Sequence, residues 1–184
     1  MIDREEIAVV SRVLEGERDA FAFLVDRYKG PIFNLAYRLT GSYEDARDLA
    51  QETFLRAYGN LGRFDRKKKF FTWLYTIALN LIRNHRKKNS CLSRHGLDGE
   101  TVSAAEPGRY DGDSEQRMID AERVRMMERA MERMPHDFRE ALLLRFHQGL
   151  SFEDIAAVLE ISPSGAKMRV YRGVELLREL IDGE

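Results

Sequence analysis

Apolar residues recur every three or four positions through most of the chain, and this spacing predicts an all-α protein. A first helix is predicted from Asp3 to Leu14. Asp19 is a good N-cap for a second helix, which Gly30 ends. Pro31 suits the first turn of a third helix, which closes at Gly41. The beginning of the chain is therefore predicted to be three helices stacked by short turns.

The most regular pattern predicts a fourth helix from Tyr43 to Tyr58. Small and apolar residues such as Ala46 and Leu49 fall on one stripe, and polar residues occupy the other face. A polar helix face is usually just solvated, but here it can also serve as a docking surface. The residues of this acidic face are Asp45, Asp48, Gln51 and Glu52.

A stretch rich in aromatic and basic residues runs from Phe70 to Lys88, directly after a polar loop from Arg63 to Lys69. Flat side chains for stacking beside cations for phosphates are what a surface for unpaired bases needs. Aromatic residues in helices are more often core, and this pattern taken alone leaves both interpretations open. Asn80 interrupts the apolar run, and a buried Asn without partners is costly, so we expect it to line a polar pocket.

The net charge of −1 conceals a strong segregation of charge along the chain. Basic residues dominate from Arg63 to Lys88, and acidic residues dominate from Asp98 to Glu122. Periodicity disappears from about Asn89 to Ser114, where Gly, Ser, Pro and acids take over, as is typical of a flexible linker. The predicted organisation is two small helical domains, residues 1–88 and 115–184, joined by an acidic linker at 89–114.

The last third of the chain predicts a helix-turn-helix. Helices are expected from Glu115 to Met134 and from Asp137 to His147. Ser151 caps the next helix, and Ser162 with Pro163 begins the last one after a turn of three or four residues. The last helix carries cations, donors and apolar tips outside, which suits entry into a DNA major groove. These outer residues are Ser164, Lys167, Met168, Arg169, Tyr171 and Arg172.

Composition narrows the class of protein further. The chain has 184 residues, enough for one ordinary domain or two small ones. No apolar run approaches the roughly 20 residues that span a bilayer, and the acidic N-terminus is unlike a secretion signal, so we expect a cytoplasmic protein without membrane insertion. Cys91 cannot form an internal disulfide, and the four histidines lie far apart. We expect no enzymatic activity, cofactor or metal.

Several stretches resemble the extracytoplasmic-function sigma factors of bacterial RNA polymerase. They are Ala36 to Tyr58 (AYRLTGSYEDARDLAQETFLRAY), Phe70 to Asn80 (FFTWLYTIALN), and Arg139 to Ser162 (REALLLRFHQGLSFEDIAAVLEIS) with the helix after it. The resemblance covers nearly the whole length, in order and spacing. It implies a two-domain initiation subunit whose first domain melts and reads the minus-ten promoter element and whose second domain reads the minus-thirty-five element.

The resemblance also implies a partner for each surface. The acidic face of the fourth helix matches the surface that docks on the coiled coil of the polymerase clamp, and the outer residues of the last helix match the minus-thirty-five surface. Asn80 and the loop from Arg63 to Lys69 match the pocket for a flipped minus-ten base. The acidic linker would occupy the RNA exit path. The full minus-ten surface, for duplex DNA and the melted non-template strand, comprises Arg63, Lys67, Lys68, Lys69, Phe71, Trp73, Asn80, Arg83, Asn84, Arg86 and Lys87.

The partners implied are core RNA polymerase, promoter DNA and an anti-sigma factor, which in many relatives is membrane-bound. The chain departs from many relatives at Asn84, where they have Asp, and at Gly165, which costs on the order of 1 kcal/mol of helix propensity relative to Ala. The rival hypothesis is a helix-turn-helix regulator whose first half binds a ligand or a partner. Such a regulator would leave Phe70 to Lys88 without a role.

Overall fold

A computed structural model describes residues 3–93 and 114–183 of the chain, and it describes their side chains over 3–90 and 122–183. All regular elements in these ranges are helical, which confirms the predicted fold class. The chain divides into two compact units, residues 1–103 and 104–184. Most of the predicted linker, residues 94–113, lies outside the described residues.

The described part of the first unit, residues 3–93, contains four α-helices and two short 3-10 turns. In chain order they are α1 (Arg4–Leu14), a turn (Arg18–Ala20), α2 (Phe21–Thr40), α3 (Tyr43–Gly59), a turn (Leu61–Arg63) and α4 (Phe70–Ser93). The predicted starts of α1 and α3 are confirmed by their caps, since Asp3 accepts from the Glu5 amide and Ser42 from the Asp45 amide.

The two helices predicted on either side of Gly30 are one helix, so that prediction is wrong. Helix α2 runs through Pro31 without a break. Its apolar stripe continues at helical spacing past the proline, and burying that stripe outweighs the backbone hydrogen bond that proline cannot make. The buried residues of this stripe are Phe21, Leu24, Tyr28, Ile32, Leu35, Ala36 and Leu39.

Helix α4 is the longest element of the first unit and packs against both α2 and α3. Phe70, Leu74, Leu79 and Ile82 on its inner face are fully buried. The helix continues to Ser93, so its last five residues fall within the stretch predicted as linker from Asn89. This packing fixes which side of α4 faces outward.

A buried polar cluster attaches α1 to α2. The Glu6 carboxylate is 1% exposed and accepts a hydrogen bond from the Tyr28 hydroxyl. Arg27 Nε lies 3.5 Å from Glu6 Oε1, and another nitrogen of Arg27 lies 2.8 Å from Asp3 Oδ2. Burial raises the pKa of Glu6, and the Tyr28 hydroxyl and Arg27 oppose this rise.

The second unit is built from α5 (Ser114–Arg133), α6 (His136–Leu142), a π-helical turn (Leu143–His147), α7 (Phe152–Leu159) and α8 (Pro163–Asp182). The N-caps predicted at Ser151 and Ser162 are confirmed, since their hydroxyls accept from the Asp154 and Gly165 amides. Helix α8 packs against α5, α6 and α7. Helices α8 and α6 approach each other closely at Gly173, where an added Cβ would lie only 3.2 Å from the Leu142 side chain.

We predict that Glu6 makes stability depend on pH. Because its pKa is higher in the folded chain, its contribution is fully present below the unfolded pKa and is lost as pH rises through the folded one. The free energy of unfolding of wild type minus that of Glu6→Gln should therefore fall as pH rises from acid towards neutral. Urea titrations of both proteins at a series of pH values measure this difference in free energy.

Tyr28→Phe provides the matched comparison. This substitution removes the hydroxyl that stabilises the Glu6 carboxylate. The free energy of unfolding of Tyr28→Phe should therefore fall more steeply with rising pH than that of wild type. Parallel pH profiles for wild type and Glu6→Gln would contradict the assignment.

Candidate functional site

The acidic face predicted on α3 exists as one surface. Asp48 and Gln51 are exposed, and Asp45 and Glu52 are partly exposed. Glu52 pairs with Arg56 at 2.7 Å and Asp48 with Arg47 at 3.4 Å, both within α3. Exposed pairs of this kind contribute little to stability, so these charges remain accessible to a partner.

An apolar groove between α2 and α3 adjoins this face, with a volume of about 420 Å³. Gln51 lies in its wall, and Leu55 at 60% exposure and Tyr58 at 40% are its most accessible apolar residues. The groove was not predicted from the sequence, although Leu55 lies outside the buried stripe of α3 and could have indicated it. The other lining residues are Phe21, Val25, Lys29, Ala50 and Phe54.

The outward side of α4 forms one polar stripe. Trp73, Asn80, Asn84 and Lys87 recur at three- to seven-residue intervals, which places them along one helix face. Asn80 is exposed, although Ala78, Leu79, Leu81 and Ile82 around it are all buried. The expected cost of burying an Asn therefore does not arise, and Asn80 presents its amide outward on this stripe.

The four aromatic residues at the start of α4 divide into two roles. Phe70 and Tyr75 are buried core residues and are not available for stacking on bases. Trp73 and Phe71 are partly exposed. At 3.6 residues per turn, Phe71 lies on about the opposite side of α4 from Trp73. Trp73 is thus the aromatic residue that shares a face with Asn80.

The basic loop before α4 has an ordered base. Phe64 is buried, and its ring lies 5.2 Å from that of Trp73 and 5.5 Å from that of Phe70. Asp65 Oδ1 accepts from the Lys67 amide at 2.9 Å, which closes a turn. The side chains of Arg63, Lys67 and Lys68 are exposed, and Lys69 Nζ lies 5.5 Å from the Phe71 ring centre. The loop is therefore joined to Trp73 through the Phe64 ring, and its Lys69 lies against Phe71.

The basic end of α4 is less uniform than the sequence suggested. Asn84 and Lys87 are exposed on the outer stripe, while Arg83 and Arg86 are partly buried. His85 points instead towards α3, with Nε2 3.2 Å from Asp45 Oδ2. Of the predicted minus-ten residues, Phe71 and Arg86 lie farthest round the helix from the stripe that contains Asn80.

The helix-turn-helix of the second unit is formed by α7, a three-residue turn and α8. Glu160 ends α7 in the left-handed conformation with φ 57°, and the Ile161 amide donates to the Ala156 carbonyl at 3.0 Å. Ser162 then caps α8, with Pro163 in the first turn. This geometry fixes the start of α8, the end that approaches base edges in such motifs.

The outer face of α8 matches the predicted surface at every position except Arg169. Ser164, Lys167, Met168, Tyr171 and Arg172 are exposed at helical spacing, with Met168 at 48% and Tyr171 at 55%. Arg169 is partly buried and lies 3.5 Å from Asp137 of α6. Arg169 thus contacts its own unit, where it joins α8 to α6.

A row of cation–aromatic contacts lies beside α8 and was not predicted from the sequence. The Phe152 ring lies 6.1 Å from the Tyr171 ring, Arg145 lies 4.8 Å from the Phe152 centre, and Lys167 lies 5.8 Å from the Tyr171 centre. Arg145 also donates to the Leu150 carbonyl at 2.8 Å. Phe152 is partly exposed. Contacts of this kind stabilise the side-chain orientation of Tyr171.

Comparison with protein families matches each unit separately. Residues 24–91 match the Sigma-70 region 2 model, and residues 125–177 match the Sigma-70 region 4 model. The two helical units, the second with a helix-turn-helix, therefore define a protein of the sigma-70 class.

Full-length relatives identify the family within that class. The chain is 36% identical over 177 residues to the ECF RNA polymerase sigma factor SigW of Bacillus subtilis, covering 92% of this chain and 93% of the relative. It is 33% identical over 190 residues to the RNA polymerase sigma-H factor of Pseudomonas aeruginosa, covering 99% of this chain and 94% of that relative. The chain belongs to the extracytoplasmic-function (ECF) family of RNA polymerase sigma factors.

Solved structures share this fold. The sigma factor RpoE of Bartonella quintana, crystallised with the anti-sigma factor NepR, is 25% identical with a TM-score of 0.72, over 89% of this chain and 98% of that one. CnrH, solved with the cytosolic domain of CnrY, is 23% identical with a TM-score of 0.72, over 98% of this chain and 99% of that one. At this identity the similarity shows the fold alone.

The described part of the chain has neither a membrane-spanning helix nor a group of metal-ligating side chains. None of its helices is long and apolar enough to cross a bilayer. Within the same ranges, no three His, Cys, Asp or Glu side chains are grouped as metal ligands would be.

Arg172 and Lys167 should contribute differently to the binding of minus-thirty-five DNA. A bidentate arginine on a base edge carries sequence information, whereas a lysine on phosphate mostly does not. Arg172→Ala should cost about 1 to 3 kcal/mol on the preferred minus-thirty-five sequence and relax discrimination. Lys167→Ala should weaken binding evenly and lower the salt slope by about one unit. Titrations of matched and scrambled duplexes at several salt concentrations test this, and equal losses on both duplexes for both variants would refute it.

Proposed function

We propose that this chain directs core RNA polymerase to promoters and helps to open them. The first unit contacts the polymerase and the melted minus-ten element, and the second unit contacts the duplex minus-thirty-five element. One observation carries this proposal: the same chain presents an outward aromatic, polar and basic stripe on α4 and a separate helix-turn-helix. A helix-turn-helix regulator needs the second surface and has no use for the first.

The polymerase contact is proposed on the acidic face of α3. Asp48, Gln51 and Glu52 supply charge and hydrogen-bond acceptors, Asp45 lies beside them on the same face, and the apolar groove beside Gln51 supplies area to bury. A polar, charged edge beside apolar anchors is the usual composition of a protein interface. The partner of this face in the family is the coiled coil of the polymerase clamp.

The minus-ten contact is proposed on the outer stripe of α4 and the loop at Arg63 to Lys69. Trp73 offers a ring for stacking, Asn80 offers an amide that can both donate and accept, and the loop cations neutralise phosphates. Pulling a base out of the duplex costs a few kcal/mol, which these contacts must offset. Because Phe64 joins the loop to Trp73, the parts of this site are held together before DNA binds.

The minus-thirty-five contact is proposed on the outer face of α8, where Lys167 and Arg172 supply cations and Met168 and Tyr171 supply apolar contact. Arg169 is the weakest member of the predicted set, because its pairing with Asp137 must break before it can reach DNA. The linker at 89–114 was predicted from composition and stays a prediction, as does its place in the RNA exit path.

The protein is proposed to have no catalytic chemistry of its own and to act in the cytoplasm. Sigma factors are non-enzymatic initiation factors, and the polymerase forms the bonds. We also propose that an anti-sigma factor holds this chain inactive, by analogy with the complex of RpoE and NepR. Such a partner would have to cover the α3 face or the DNA-facing surfaces to block initiation.

The docking proposal predicts that charge reversal on α3 weakens polymerase binding. Asp48 and Glu52 lie four residues apart and project together, so Asp48→Lys with Glu52→Lys should lower affinity for core polymerase while helicity and melting temperature stay nearly unchanged. The matched control is Glu17→Lys, an exposed paired acid outside α3 that should bind core like wild type. Unaltered affinity of the α3 variant would remove this face from the interface.

The minus-ten proposal predicts that Asn80→Ala slows promoter opening. Because Asn80 is exposed, the substitution removes contacts with DNA and leaves folding and polymerase binding intact. Fluorescence of a base analogue in the minus-ten non-template strand, at equal holoenzyme occupancy, should rise more slowly than with wild type. A premelted template should recover part of the loss, and an unchanged rise on duplex DNA would exclude Asn80 from the site.

A further inference from the structure

Asp45 differs from the other acids of the α3 face in the partner it contacts. Asp48 and Glu52 pair with arginines of α3 itself. Asp45 Oδ2 lies instead 3.2 Å from Nε2 of His85, on the neighbouring helix α4. The side chains are 37% and 25% exposed respectively, so this contact is better shielded from solvent than the pairs within α3.

The position of His85 on α4 gives this contact its importance. Ile82 is the last fully buried residue of α4 within the part whose side chains are described. Beyond it, apolar packing no longer fixes the helix, yet Asn84 and Lys87 of the proposed minus-ten stripe lie here. A polar contact from His85 to α3 therefore acts where apolar packing to the rest of the unit has ended.

The hydrogen on Nε2 determines which partner His85 takes. The Asn89 side-chain nitrogen lies 2.9 Å from the same Nε2. A ring nitrogen holds either a hydrogen or a lone pair, so Nε2 cannot donate to Asp45 and accept from the Asn89 amide at once. With hydrogen on Nε2 the ring bonds across to α3, and Asn89 must turn its amide oxygen towards the ring or move away.

We infer that Asp45 and His85 are a positioning pair that holds the DNA-facing end of α4 on the polymerase-docking helix α3. This inference rests on the functions proposed for these two helices. It moves Asp45 from the docking contacts to the support of the minus-ten surface. The polymerase-bound helix and the DNA-bound helix would then keep a fixed orientation while DNA is opened.

A double-mutant cycle tests the pair with Asp45→Ala, His85→Leu and both together. The measurements are the opening rate at saturating core polymerase, the affinity for core, and the melting temperature of each variant. Each single variant should slow opening about two- to fivefold, the range expected for a partly exposed polar contact, and the double variant should be no slower than either. Affinity for core should stay at the wild-type value.

Two further variants separate positioning from a general loss of structure. His85→Gln keeps an N–H donor at a similar reach and should restore most of the opening rate that His85→Leu loses. Glu44→Ala removes the neighbouring acid in the first turn of α3 and should open DNA at the wild-type rate. A loss with Glu44→Ala equal to that with Asp45→Ala would mean a helix-end charge effect and would overturn the inference.

Other outcomes would also overturn it. Additive losses in the double variant, or no rescue by His85→Gln, would show that the two side chains do not act together. Weakened core affinity with Asp45→Ala and normal affinity with His85→Leu would return Asp45 to the docking contacts. If Asn80→Ala slows opening and the pair variants do not, this inference alone fails, whereas normal opening with all of these variants would refute the proposed minus-ten surface as well.

Discussion

The burial of one face of α4 is the constraint on which the first unit depends. Phe70, Leu74, Leu79 and Ile82 lock this helix against α2 and α3, and each such side chain contributes about 1.5 to 3 kcal/mol on burial. Once that face is fixed, helical geometry leaves Trp73 and Asn80 pointing outward. The proposed DNA surface is therefore set by the core, and the loop joins it through Phe64.

The second unit uses the same principle with a different helix. Ala166, Val170 and Gly173 of α8 are buried, and the close approach of Gly173 to Leu142 sets the distance between α8 and α6. The opposite residues then form the exposed surface. Side-chain contacts refine this arrangement, since Arg169 pairs with Asp137 and the Phe152 ring lies against the Tyr171 ring. In both units apolar packing orients a helix, and side-chain contacts adjust what it presents.

Much of this could be predicted from sequence because caps and periodicity are local signals. The starts at Asp3, Ser42, Ser151 and Ser162 each follow from a side chain and the amides just after it. Continuity of α2 through Pro31 could not be predicted, because it depends on the stripe finding partners on other helices. The contacts of Arg169 and His85 were missed for the same reason, since each partner lies on another helix. The exposure of Asn80 was open to prediction, because helical spacing from Trp73 already places it outside the stripe of Leu74, Ala78 and Leu81.

Run-off transcription with purified core RNA polymerase tests the central claim most directly. Genomic promoter fragments are transcribed with core alone and with core plus this chain. Transcripts that start at defined sites and appear with the chain but not with core alone are the predicted result. The same transcripts with and without the chain, together with site-specific DNA binding by the chain in the absence of polymerase, would contradict it and favour a helix-turn-helix regulator.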